Sequence, residues 1–326
     1  MISRMQQYPL PDESVEAKRH KSRLFVKVLI GACSVILLLG AAWFSVRTYI
    51  PSLLEGVASA WSVATLDKEL KDATFVGSGG RYTSTLLGYR TEAPISDRLV
   101  SYDEGENGEV VSIVKASNGS YQLNIGSTAA FSSIDPIRDL SLSSDGHRVG
   151  FTSSAEIATS SRELYGSHAI LAPLSSYAQL YYVPSKKVVT LGPGVAPLFR
   201  DNAHVIRFSP GGIIETDLST GNETVLLTRS FSILSGPILQ SPDRSLIAFT
   251  DTVANTIFVY RFSESTLELV AKFDASFVPE ALGNSGLYEL RYENGRSTVW
   301  KHSFKGQEAH KAGTFPPGFR ITAISL

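Results

Sequence analysis

The stretch ILQSPDRSLIAFTD, Ile238–Asp251, sets an apolar run, a four-residue polar break and a second apolar run in order. Proline presets φ for the first central position of a type I turn. Asp tolerates the bridge or left-handed region and bonds its own backbone. The pattern therefore predicts strand, tight turn, strand. Leu140–Ser153, LSLSSDGHRVGFTS, repeats it: Phe151 follows Asp145 by six residues, as Phe249 follows Asp243. The two copies stand 98 residues apart, and half that interval points to Pro197–Phe208, where Phe208 lies six residues after Asn202.

Weaker copies extend the series to Ile95–Tyr102 and Ala281–Leu290. With Asp97, Asp145, Asn202, Asp243 and Asn284 as markers, the intervals are 48, 57, 41 and 41 residues. A period of about 40 to 50 residues is that of a propeller blade. The turn residues Ser144, Asp145 and Gly146 in one copy, and Ser241, Pro242 and Asp243 in the other, are assigned a structural role. Arg244 stands where Gly146 accepts positive φ, at a cost of about 1 kcal/mol for a left-handed non-glycine.

A second hairpin follows each marker, at Ser112–Ile125, Gln179–Leu191, Ile213–Leu227, Ile257–Val270 and Ser297–His310, each pairing alternating apolar runs across a short polar turn. Two hairpins per period make a four-stranded sheet. Such a sheet cannot bury both faces alone, so the copies must stack around an axis. The expected fold is all-β: a β-propeller of five complete four-stranded blades, with a sixth shared between the termini. Arg320–Leu326 would pair with Arg81–Arg90 to close that sixth blade and remove the free sheet edges. The long interval holds Ala155–Leu171, read as an insertion between strands.

The copies around Ser241-Pro-Asp-Arg244 and Ser144-Asp-Gly146, with the downstream Asp217-Leu-Ser-Thr-Gly221, resemble the TolB-like β-propeller repeat over about Ile95 to Phe315. The resemblance implies the fold and no particular chemistry.

Upstream of the repeat, Val28–Val46 carries no charge over 19 residues, enough at about 1.5 Å per residue to cross a hydrocarbon core of roughly 30 Å. Lys18, Arg19, Lys21, Arg23 and Lys27 precede it, and only Arg47 follows before Lys68. The positive-inside bias then puts the tail, residues 1–27, in the cytoplasm and the propeller, residues 81–326, outside it. A cleaved signal peptide is the rival reading, but the best small-residue site, Ala58-Ser-Ala60, lies too far past Val46. Within the segment 47–80, Leu54, Val57, Trp61 and Ala64 form a helical stripe, read as a short juxtamembrane spacer helix. Val76-Gly-Ser-Gly-Gly-Arg81 reads as a flexible joint.

Beyond Arg47 the chain holds 23 basic and 28 acidic residues, with no Lys/Arg cluster of the kind that replaces phosphate counterions, so no nucleic-acid partner is expected. The expected partners are membrane lipid, through the N-terminal helix, and a protein of the cell envelope. The single cysteine, Cys33, excludes an intrachain disulfide.

No Gly-x-Ser-x-Gly nucleophile elbow occurs; Gly283-Asn-Ser285 comes nearest and fails at Leu287. An N-terminal anchor followed by a propeller resembles the front half of dipeptidyl-peptidase-type serine hydrolases, whose hydrolase domain has no room here. His147, His204, His302 and His310 lack metal-ligand spacing. The acidic knot Asp103–Glu109 lacks the ligand order of a calcium loop and contains the Asn107-Gly108 turn. No catalytic, cofactor-binding or metal-binding residue is assigned. The expected function is a single-pass, membrane-anchored extracytoplasmic propeller that binds or scaffolds protein. The alternative is a propeller-type hydrolase or lyase with its site on the central axis, to which Tyr102, Asp103, Glu215, Asp217 and Glu289 would contribute.

Overall fold

The repeat turns join strands in the expected way. In the computed structural model, Ser143–Gly146 closes through the Gly146 N–H on the Ser143 carbonyl, and Ser241–Arg244 through the Arg244 N–H on the Ser241 carbonyl. The structure describes residues 66–326 apart from 72, 78–79, 86–87, 92–98, 106–107, 155–169, 172–174, 232–233, 307 and 317–319. The expected tail 1–27, membrane span 28–46 and helical stripe Leu54, Val57, Trp61 and Ala64 lie outside the described residues. Among the described residues no helix is long and apolar enough to cross a membrane.

The strands form six blades. In chain order they are β1 (Thr74–Gly77), β2 (Gly80–Thr85) and β3 (Gly88–Thr91); β4 (Leu99–Glu104), β5 (Val110–Lys115), β6 (Tyr121–Ile125) and β7 (Thr128–Ser133); β8 (Ile137–Leu142), β9 (Arg148–Ser154), β10 (Ile170–Leu171), β11 (Ser176–Tyr182) and β12 (Lys187–Pro193). They continue with β13 (Val195–Phe199), β14 (His204–Ser209), β15 (Gly212–Asp217) and β16 (Glu223–Thr228); β17 (Leu234–Gln240), β18 (Leu246–Asp251), β19 (Thr256–Phe262) and β20 (Leu267–Asp274); β21 (Pro279–Leu282), β22 (Gly286–Glu293), β23 (Arg296–Ser303) and β24 (Ala309–Thr314); and β25 (Ile321–Ser325). Blade one has the order β25-β1-β2-β3, blade two β4 to β7, and blade three β8-β9-β11-β12. Blade four runs β13 to β16, blade five β17 to β20 with β10 added beside β17, and blade six β21 to β24. Every pairing is antiparallel, and the inner strands of blades two and three, three and four, five and six, and six and one pack against each other.

The two middle strands of each blade pair without a register break, whereas the inner strand of all six blades breaks register. A bulge leaves one residue unpaired and re-aims its side chain while the strand bends. Six inner strands converging on one axis use that freedom.

Ring closure differs from the expected pairing. β25 pairs with β1, Thr74 opposite Ser325 and Phe75 opposite Ile324, rather than with 81–90. The supposed joint is part of a hairpin, since β1 also pairs with β2, Gly77 opposite Gly80. The physical reason is burial. Phe75 is fully buried and meets Phe315 edge to face at 4.8 Å, in a core with Tyr288, Val299, Ile321 and Ile324 that joins blades one and six. A Cβ at Gly77 would run into the Arg320 carbonyl, so glycine there serves close strand approach. Leu66, ahead of the 3-10 turn Lys68–Leu70, and Leu70, its last residue, extend the same core. Between blades four and five, Phe208, Phe231, Phe249, Phe258 and Tyr260 form an aromatic cluster, with Phe208 and Phe249 edge to face at 5.1 Å.

The second hairpins sit where expected, as β5–β6, β11–β12, β15–β16, β19–β20 and β23–β24. In blades three to six they are the two outer strands, but in blade two β5–β6 is the middle pair and β7 lies outside it. The insertion 155–171 falls between β9 and β11 of blade three, and its last two residues, β10, pair with Leu234 and Ser235 of blade five. β17 is the inner strand of its blade, so β10 stands on the axis at the end where β17 begins.

Candidate functional site

At the opposite end, where the inner strands run into their first turns, the axis holds a cavity of about 400 Å3 to which all six blades contribute. Leu140, Leu142, Leu198, Ile238 and Leu282 give it apolar walls, and Asp103, Glu104, Glu280 and Arg244 give it charge. Leu326 also reaches it.

Three blades meet at Leu142, the last residue of β8. Its N–H donates to Asp103 Oδ2 of blade two at 2.7 Å, and its carbonyl accepts from Arg244 Nη2 of blade five at 3.0 Å. Asp103 Oδ1 takes the Glu104 N–H at 2.9 Å. Burial pushes the Asp103 carboxyl up to about 6, against the pull of those two N–H groups and of the Arg244 charge. Arg244 Nη1 is buried with no hydrogen-bond partner among the described residues. The backbone of Arg244 has φ 58°, the left-handed region that Gly146 occupies at 68° in the matching turn. Arginine at this position thus carries conformational strain and returns a guanidinium that crosses to blade three.

Glu280 has a different origin. It is the unpaired residue of the bulge in β21, where Pro279 faces Glu289 and Ala281 faces Tyr288. Among the described residues its carboxyl has no polar partner, and burial alone pushes it up to about 8. Asp103 stands on β4 of blade two and Glu280 on β21 of blade six, so the two raised acids come from different blades. Glu104 is held by Tyr102, whose hydroxyl donates to Oε2 at 3.0 Å.

Of the five residues named for an axial site, Asp103 alone lines the cavity. Tyr102 acts through Glu104. Glu215 on β15 pairs with Arg200 at 3.0 Å, and Glu289 on β22 binds His302 at 2.9 Å and Arg291 at 2.7 Å. Asp217 caps its own turn, where bonds from Ser219 and Thr220 lower it to about 2. Glu215, Asp217 and Glu289 sit on second and third strands, which do not reach the axis.

The turn residues form one arrangement twice. The Ser143 hydroxyl donates to Asp145 Oδ1 at 2.6 Å and accepts from the Arg148 N–H at 3.0 Å; the Ser241 hydroxyl donates to Asp243 Oδ1 at 2.6 Å and accepts from the Leu246 N–H at 2.9 Å. Ser143, not Ser144, therefore matches Ser241, and Ser144 matches Pro242. Asn202 Oδ1 accepts from the Asp145 N–H at 3.1 Å, linking blades three and four. Asn284 is exposed in the β21–β22 turn, and Asp97 lies outside the described residues. In blade two the first turn ends at Gly108, with φ 77° and its N–H on the Gly105 carbonyl.

Sequence reading missed Arg244 as a cavity residue and Glu280 altogether. Each carried a signal: an arginine where the sister copy has glycine, and a lone carboxylate in the short strand Pro279–Leu282. Among the described residues no three His, Cys, Asp or Glu side chains stand together as metal ligands would. His302 instead stacks on Phe277 with centroids 3.6 Å apart.

No family model matches the chain, and no curated protein does. Among solved structures it is similar to TolB from Acinetobacter baumannii, at 13% identity over 79% of this chain and 67% of that one, with a TM-score of 0.51. It also aligns with a putative TolB from Agrobacterium tumefaciens, at 13% identity over 72% of this chain and 86% of that one, TM-score 0.43. A third alignment is with an oligogalacturonate lyase in complex with manganese, at 9% identity over 72% and 70% of the two chains, TM-score 0.40. At such identities a likeness speaks to the fold alone, and only the first TM-score is high enough to use. The chain is a six-bladed β-propeller of TolB-like fold.

Proposed function

We propose that the chain is a single-pass membrane protein that presents its propeller outside the cytoplasm as a protein-binding module of the cell envelope. The observation that carries the binding role is the axial mouth, where all six blades bring apolar walls and buried charge to one concavity. The uncharged run Val28–Val46 and the basic residues before it support the anchor and its orientation. Lipid contact is confined to that helix.

The reading assigns no reaction to the propeller.

Topology and binding are tested together in the full chain. Val253, exposed at the β18–β19 turn, is replaced by cysteine; the native Cys33 lies within the expected span. A membrane-impermeant maleimide added to intact cells should label V253C. Cross-linking in the native membrane should trap a stoichiometric protein partner that a bulky Leu142→Trp change at the cavity loses. Labelling only after cell lysis would overturn the orientation, and a chain recovered only as a lipid-associated monomer would overturn the binding role.

A further inference from the structure

Two groups in the axial cavity lack what their chemistry requires. Glu280 is a half-buried carboxyl to which no hydrogen-bond donor comes among the described residues, and Arg244 Nη1 is a fully buried donor with no acceptor among them. Buried polar groups are normally satisfied, and an unpaired one costs roughly 1–3 kcal/mol, more for a charge. Both face the same space of about 400 Å3, and both are there by exception: a bulge aims one, and a strained arginine supplies the other.

From this we infer that the axial cavity accepts an organic cation on an apolar stem, the shape of a lysine or arginine side chain, with Glu280 as its counter-ion. The inference deepens the protein-binding reading and rests on it, because it names the group that a partner inserts. Charge selects the sign. Asp103, Glu104 and Glu280 face the space, and the one cation among the described residues there, Arg244, is already turned onto the Leu142 carbonyl. The apolar walls, Leu140, Leu198, Ile238 and Leu282, suit a hydrocarbon stem. A side chain arriving on a peptide also brings a main-chain carbonyl, which is the acceptor Arg244 Nη1 lacks.

Binding must move a proton. In the empty cavity burial holds the Glu280 carboxyl protonated at neutral pH, whereas beside a cation the carboxylate is favoured. The protonated carboxyl plus the bound cation therefore become an ion pair, and one proton leaves to solvent. Affinity should then rise with pH up to about 8 and level off above it. Asp103, which titrates near 6, strengthens the same trend at its lower end.

The test uses the detergent-solubilised full chain and calorimetric titration with n-butylammonium and n-butylguanidinium, with n-butanol and butanoate as controls. Both cations should bind at least tenfold more tightly than either control. Runs at pH 7 in buffers of different ionisation enthalpy should show proton release approaching one per ligand. The affinity should climb several-fold per unit between pH 6 and 8. Glu280→Gln should abolish the release and weaken cation binding at least tenfold, while Arg244→Gln keeps the release. Equal binding of cations and butanol, or undiminished cation binding by Glu280→Gln, overturns the inference. A cross-linked partner retained equally by Glu280→Gln overturns it too and leaves the protein-binding reading standing. Cation binding with no stoichiometric protein partner overturns that reading and assigns the site to a free organic cation.

Discussion

The turns Ser143–Gly146 and Ser241–Arg244 are one device built twice. In each, a serine hydroxyl bridges the turn aspartate and the returning strand at nearly the same distances, 2.6 and 3.0 Å in one and 2.6 and 2.9 Å in the other. They differ at the fourth residue, where glycine takes positive φ freely and arginine takes it under strain. The hydrogen bonds make the turn, and the exception makes the cavity. Where a repeat breaks its own local rule without loss of geometry, the break marks a place in use. Glu280 in its bulge is a second such exception.

The largest effect expected from probing that contrast is at Glu280. Its folded-state value is raised from 4.5 to about 8, so between those limits the folded state holds a proton that the unfolded state has released. Stability then falls as pH rises through the window, by up to about 1.4 kcal/mol per unit. Glu280→Gln removes the dependence. In urea titrations the variant should match wild type at pH 5 and exceed it by about 3 kcal/mol at pH 8; equal stability at both would show that the carboxyl is not buried unpaired.

Next come the shared hydroxyls. Ser143→Ala and Ser241→Ala should each cost about 1–2 kcal/mol, and by similar amounts, because both leave a turn aspartate and a strand N–H with one bond fewer. Unequal costs in chemical denaturation would break the claim that the turns are equivalent.

Exchanging the fourth residue sharpens the difference. Gly146→Arg should cost about 1 kcal/mol, the strain of a left-handed non-glycine. Arg244→Gly should leave stability within about 1 kcal/mol of wild type, since relieved strain offsets the lost bond to Leu142. The same change should raise the Asp103 value above 6 by removing the nearby positive charge, as carboxyl NMR would show.

Much of this architecture was legible because turn chemistry is local. Pro242, Asp243 and Gly146 announce turns without reference to the rest of the chain, and the phenylalanines six residues on mark the strands that fill the cores between blades. Closure was read as a terminal pairing but with the wrong partner. Phe75 sits amid glycines that suggest a joint, and only its contact with Phe315 and Ile324 shows it to be core. β7, Thr128–Ser133, lacks an apolar stripe and faces largely outward, so it goes unread and the hairpin Ser112–Ile125, expected as the outer pair, is the middle pair of blade two. The cavity was the least legible part. Which strand faces the axis depends on how four strands order within a blade, and that ordering separates Asp103 and Glu280 from Glu215 and Glu289, which look alike in sequence.

A carboxyl 13C titration of the full chain, with Glu280→Gln for assignment, tests most directly whether the axis holds an unpaired, ready acid. The account expects one glutamate resonance to titrate at about 8 and to vanish in the variant. If every glutamate titrates between about 3 and 5, the range of exposed or paired carboxyls, the axial site as described does not exist.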